Sequence, residues 1–353
     1  MKKVLLATTA LVAFAGAASA EIKLDGYAEI GVDGGNNGYT TQFHNDWQVN
    51  FNFKSETDGG LSFGGKVQIE ETNSPQKIDG GLKIDDEAFW VSGAFGKLTL
   101  GETAGALDWA VPDIYSGTSI SDDHSTHAGA YWNTGMDGKY DDQIARYEYS
   151  FGDYGVAVSV EQDDDGSYAN LSGTNVIGDG INADPIIGLG GKWSGSMGGA
   201  DITAGIGYQT NGSADTVSLA ATAKMANGFS ASLGYANFNS DDGADGVLGT
   251  VDDGLTFTDY VGNGVFVDSW VGLGVAYTTG ALTVGANYGV YSAAQAGVSD
   301  PKGWGLVANY DLGGGAVAMV GYGASSGSNG GIAYGNGNGH GSKTWSAGLG
   351  LSF

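Results

Sequence analysis

The chain has 353 residues, with 14 Lys+Arg against 40 Asp+Glu and a formal net charge of −26; this excludes a phosphate-reading surface, and with it nucleic acid as a partner, because such contacts need a basic patch. It contains no Cys, so disulfides and thiolate metal or redox chemistry are excluded too. Its 65 Gly disfavour helices, Pro is rare at 4, and the glycines lack the period of three of a collagen.

In chain order, Lys2 and Lys3 precede a short apolar stretch, Val4 to Gly16, and a small-residue exit, Ala18-Ser19-Ala20. This is the pattern of an export leader, residues 1–20, cleaved before Glu21; the apolar run is shorter than the ~20 residues that span a bilayer. Losing 20 of 353 residues and two lysines leaves 333 residues (21–353) with 12 basic against 40 acidic side chains, or −28. No later run is long and apolar enough for a transmembrane helix.

Alternation of apolar with small or polar residues then recurs along the chain. It predicts strands over Glu21–Asp33, Asn45–Glu56, Gly60–Thr72, Gly81–Gly93 and Gly96–Glu102, and then over Gln143–Phe151, Tyr154–Gln162, Pro185–Met197, Ala200–Gln209, Asp215–Met225 and Phe229–Asn239. The series closes with Asp268–Thr279, Ala281–Tyr291, Lys302–Asp311, Gly315–Ala324 and Ser342–Phe353, sixteen in all. In the last, Trp345, Ala347, Leu349, Leu351 and Phe353 share one face and Thr344, Ser346, Gly348, Gly350 and Ser352 the other. Period two means a strand between two different surroundings. Tight turns such as Asp58-Gly59, Gly152-Asp153 and Gly313-Gly314 alternate with long connections at 163–184, 240–267 and 325–341. Repeated ~10-residue alternation, short turns at one end and long loops at the other, and an aromatic terminal strand resemble a bacterial outer-membrane β-barrel, an all-β, transmembrane antiparallel fold. Trp47, Trp193, Trp270, Trp304 and Trp345 lie near strand ends, as interface girdles do. The small polar faces suggest a water-filled interior.

Several segments are similar to the Rhodobacter-type general porins: Glu21-Ile22-Lys23-Leu24-Asp25-Gly26, Thr57 to Gly64, Gly93-Ala94-Phe95-Gly96-Lys97 with Gly101-Glu102, Tyr310 to Gly315, and the terminal Phe353. Their order spans the chain after the leader. The resemblance implies a single barrel domain of sixteen strands, a homotrimer in the outer membrane of a Gram-negative bacterium, and a long loop after the fifth strand folded into the pore. That loop is 103–142. It carries Asp108, Asp113, Asp122, Asp123, Asp137, Asp141 and Asp142 against one base, Lys139. In the family, acids on this loop face bases on the wall.

The wall candidates here are Lys23, Glu29, Gln48, Lys54, Lys66, Arg146 and Glu148. Arg146, the only arginine, falls with Ile144, Glu148 and Ser150 opposite Ala145, Tyr147 and Tyr149; it is expected in the lumen near the loop's return, the alternative being a charge at the rim. Glu29 and Gln48 stand where the family pattern leads one to expect arginines, so the wall is less basic than the resemblance alone implies.

Other motifs carry less. His124 and His127, beside Asp122 and Asp123, match no standard metal spacing. Asp241, Asp245 and Asp252 approach a Ca²⁺ loop, but Gly243 occupies its third position and no helices flank it. No cofactor is required; calcium on an external loop is the one ion the sequence suggests. No nucleophile elbow, helical His-Glu-x-x-His or phosphate loop supports an enzyme. The expected function is a passive channel for ions and small hydrophilic solutes, moderately cation-selective. The alternatives are a Gly/Asp-rich exported Ca²⁺-dependent adhesion protein, for which nonapeptide repeats are missing, and a non-conducting structural barrel.

Overall fold

The computed structural model describes residues 20–36, 40–71, 82–114, 117–120, 136, 143–162, 168–169, 176–177, 185–212, 214–240, 267–294, 297, 299–326 and 343–353. Sixteen of its strands form one closed antiparallel barrel in which each strand pairs with its neighbours in sequence. They are β1 (Glu21–Gly35), β2 (Gln42–Glu56), β3 (Ser62–Glu71), β4 (Leu82–Gly93), β5 (Gly96–Gly101), β6 (Ile144–Phe151), β7 (Tyr154–Glu161), β8 (Ile186–Met197), β9 (Ala200–Thr210), β10 (Ala214–Met225), β11 (Phe229–Ser240), β12 (Val267–Thr279), β13 (Leu282–Ala293), β14 (Lys302–Gly313), β15 (Ala316–Ser326) and β16 (Lys343–Ser352). A separate two-stranded ribbon joins Tyr168–Ala169 to Val176–Ile177. One short helix, α1 (Ala106–Ala110), lies between β5 and β6.

β16 closes the barrel against β1, with Tyr27 opposite Ser352 and Gly35 opposite Thr344. Beyond the strand, the Phe353 amide donates to the Gly26 carbonyl at 2.9 Å. Full closure leaves no edge strand for another chain to pair with.

The burial pattern inverts that of a water-soluble sandwich. Leu24, Leu219, Leu233, Leu273 and Leu306 on the outer face are exposed, while Glu29, Gln68, Thr99, Arg146, Gln209 and Ser218 on the inner face are buried. Paired residues in antiparallel strands share a face, so the register extends this assignment around the barrel. In β12 it places Trp270 opposite Ala236 and Tyr291, on the inner face and 1% exposed. Trp270 is therefore not part of a girdle. Trp47 and Trp304 do lie on the outer face and are exposed. Strand-end spacing cannot separate these cases; parity within the ladder does.

Candidate functional site: the lumen and its inner segment

The segment after β5 lies against the inner wall. α1 buries Ala106, Leu107 and Ala110, and the Ala106 amide donates to Ser159 Oγ on β7 at 2.9 Å. The wall makes room by lacking side chains. A Cβ on Gly190 would lie 1.9 Å from the Ala106 carbonyl oxygen, one on Gly205 1.8 Å from that of Ala110, and one on Gly207 2.6 Å from Leu107 Cγ. Farther round, Ile114 covers Gly234 and Gly272, where a Cβ would come within 3.0 and 2.6 Å of it. Asn309 on β14 donates to the Thr118 carbonyl at 2.9 Å. Ile120 Cδ1 would meet a Cβ on Gly31 at 2.2 Å and on Gly348 at 2.5 Å. Residues 106–114 and 117–120 thus lie over a track of glycines from β8 round to β1, and Met136 returns to the wall through its amide to Gln209 Oε1 at 2.8 Å. Leu107, Val111, Ile114 and Met136 pack with Phe238, Trp270 and Tyr291 in one apolar cluster. Part of the interior is therefore filled by protein, and these inner glycines face the segment and not water.

The polar wall is β1–β6. Most of its inward bases sit beside carboxylates: Lys23 Nζ is 3.5 Å from Asp25 Oδ2, Lys83 Nζ 2.5 Å from Asp85 Oδ1, and Lys97 Nζ 3.9 Å from Glu148 Oε1. Lys66 pairs with Asp86. Arg146, 6% exposed, donates from Nε to Glu148 Oε2 at 3.0 Å, and from Nη1 to Thr103 Oγ1 at 3.3 Å and to the Ala104 carbonyl. It ties the start of the inner segment, rather than its return, to the wall. His44 Nε2 is 3.1 Å from Glu29 Oε2 and its Nδ1 3.8 Å from Asp33 Oδ2. Asn50 and Asn52 donate to the two oxygens of Asp25 at 2.9 and 3.0 Å. Opposite, on β8, the Lys192 ammonium caps the Trp109 ring.

The sequence matches the family described as Gram-negative porin over residues 7–331. The chain belongs to this family. It is 30% identical to the porin of Rhodobacter capsulatus over 315 residues, which covers 85% of this chain and 93% of the relative. A porin structure refined at 1.8 Å resolution superposes with a TM-score of 0.66 at 23% identity, over 94% of this chain and all of that one. A mutant porin of Rhodopseudomonas blastica does so with a TM-score of 0.63 at 18% identity and the same coverage. These two likenesses bear on the fold, which is shared. The protein is an outer-membrane diffusion channel and not an enzyme.

Within this porin the wall residues expected from the sequence all lie on inward-facing positions of β1, β2, β3 and β6. Glu29 is buried beside His44. Gln48 Nε2 donates to Gln68 Oε1 at 3.2 Å, and Lys54 sits across from Glu21 and Gly64 near the short-turn end. Asp108 and Asp113 are half-buried on the inner segment. Asp122, Asp123, Asp137, Asp141 and Asp142, with His124 and His127, lie outside the described residues, as do Asp241, Asp245 and Asp252. Lys192, Asp86, Asp33 and His44 were missed by the sequence reading. A signal for some of these pairings existed: Lys23-x-Asp25, Lys83-x-Asp85 and Arg146-x-Glu148 are same-face pairs two residues apart in a strand.

Proposed function

We propose that this porin passes ions and small hydrophilic solutes with a moderate preference for cations. The observation that carries it is the state of the β1–β6 wall. Lys23, Lys66, Lys83, Lys97 and Arg146 each lie within salt-bridge distance of a carboxylate, and Glu29, Asp33, Asp46 and Glu70 add further acids to the same face. Bases held in pairs do not present a positive wall to a passing anion. Acids in a narrow lumen with low-dielectric walls concentrate counter-ions. Asp108 and Asp113 of the inner segment add negative charge in this reading, and so do Asp122, Asp123, Asp137, Asp141 and Asp142, the carboxylates expected from the sequence on the same connection. A reversal potential in a KCl gradient tests it: potassium preference is expected, weakening as the Debye length falls from ~10 Å at 0.1 M to ~3 Å at 1 M. Chloride preference would overturn it.

The working unit in this reading is a homotrimer, with β1–β5 and β16 turned toward the neighbours. β3 and β5 are among the short strands, and Ile22, Leu24, Leu82 and Ile84 give this sector a strongly exposed apolar face. Small outward residues such as Ala28 allow close approach. Native mass measurement in mild detergent that found only monomers would refute it. Residues 1–20 act as a cleaved leader, so amino-terminal sequencing of the membrane-extracted protein should begin at Glu21. Calcium at Asp241, Asp245 and Asp252 predicts a calorimetric signal that is lost in Asp245→Ala.

A further inference from the structure

A bulge between β3 and β4 brings two successive carboxylates into the lumen. Lys66 pairs with Ala88, yet the next inward residue, Gln68, pairs with Asp85. Two steps along β3 therefore face three along β4. In an unbroken ladder only one of two neighbouring residues points inward; the extra residue of a bulge re-aims a side chain and lifts that restriction. Asp85 and Asp86 both meet lumen-facing lysines, Asp85 with Lys83 and Asp86 with Lys66.

The backbone is held in an unfavourable state to achieve this. Asp86 has φ +51° and is the only non-glycine residue with positive φ among the described residues. L side chains enter this region at a cost, and Asp and Asn tolerate it best. Such strain persists where the surroundings impose it, commonly at functional positions. The bulge is tacked to the end of β5 by the Glu102 amide, which donates to the Glu87 carbonyl at 2.9 Å. It thus lies beside the point where the inner segment leaves the wall. The Lys66 and Asp86 side chains are 37% and 48% exposed, in reach of water and ions in the lumen.

We propose that Asp86 is a specificity-determining residue of the channel, held in its strained bulge so that its carboxylate cancels the Lys66 charge at the root of the inner segment. The proposal rests on the reading of wall charge as the source of ion preference. Its test is a shift relative to wild type, so a chloride-preferring wild type would overturn that reading and leave this one to stand or fall separately.

Reversal potentials of purified channels in planar bilayers, at 0.1 M mean KCl, provide the test. Asp86→Asn, whose side chain also tolerates positive φ, should raise the chloride-to-potassium permeability ratio about two- to threefold. Asp86→Gly should give the same shift while relieving the strain, and should raise the temperature at which the barrel unfolds. Lys66→Gln should move the ratio the opposite way, and combining it with Asp86→Asn should bring the ratio back near the wild-type value. A wild-type ratio in conducting Asp86→Asn channels would overturn the proposal. So would a shift in Asp86→Asn that is absent from Asp86→Gly, because it would belong to the asparagine and not to the lost carboxylate.

Discussion

The Lys192 ammonium lies 3.5 Å from the centre of the Trp109 ring and donates to the Trp109 carbonyl oxygen at 3.2 Å. One wall residue thus holds α1 by two contacts, one to the π-face and one to the main chain. A cation over a tryptophan face contributes about 0.5–2 kcal/mol. Lys192→Met keeps the aliphatic stem and loses both contacts. It should loosen the inner segment and produce noisier single-channel currents, with the barrel's far-ultraviolet circular dichroism unchanged.

The glycine track predicts the opposite kind of failure. Gly205→Val places a side chain where the Ala110 carbonyl already lies, since even a Cβ would come within 1.8 Å of that oxygen. Backbone cannot yield as a side-chain tip does, so the segment must leave the wall. Overpacking of this kind costs about 1–3 kcal/mol. Heat stability on unboiled gels should fall and single-channel conductance should change. Gly198→Val, at a turn where a Cβ meets nothing within 4 Å but φ is +63°, should leave conductance alone and cost only the turn strain.

Arg146 supports the same segment through charge. Removing it in Arg146→Ala leaves Glu148 with the more distant Lys97 and takes donors from Thr103 and the Ala104 carbonyl. Breaking a buried pair from one side costs on the order of 3 kcal/mol. Arg146→Lys should recover only part of this, because an ammonium lacks the planar fork that reaches several acceptors at once. Thermal unfolding of the three proteins in detergent should rank wild type, Lys, Ala.

The two faces of the barrel should respond differently to one added charge. Leu273 is exposed in the middle of β12 on the outer face, so Leu273→Arg puts a guanidinium into lipid at a cost of about 2–4 kcal/mol. Thr203 lies on the lumen face of β9, its hydroxyl 3.3 Å from Ser194 Oγ. Thr203→Arg should fold with little penalty and shift ion preference toward chloride. Refolding yield into vesicles and reversal potential check the two outcomes together.

The sequence by itself determined the barrel. Period-two alternation and turns such as Gly152-Asp153 are local features, and every one of the sixteen strands is within a few residues of where that pattern places it. The largest differences, as at β2, which begins at Gln42, lie at strand ends, where alternation fades. The sequence also held the Arg146-x-Glu148 pairing and the inward side of Lys23, Lys54 and Lys66, because parity along a strand fixes a face. Only the tertiary structure decided what each inner position meets. Gly190, Gly205, Gly234 and Gly348 read alike in the sequence as small lumen residues, yet each is needed for a close approach by the inner segment or by an aromatic ring. Trp270 shares its spacing with the girdle tryptophans and packs inside with Tyr291 at a ring-centre distance of 6.4 Å. Asp86 reaches Lys66 across a bulge that breaks the alternation from which faces are read. These contacts join residues far apart in the chain, and their partners are chosen by ladder register and by the path of a segment folded back through the barrel, neither of which is encoded in local periodicity.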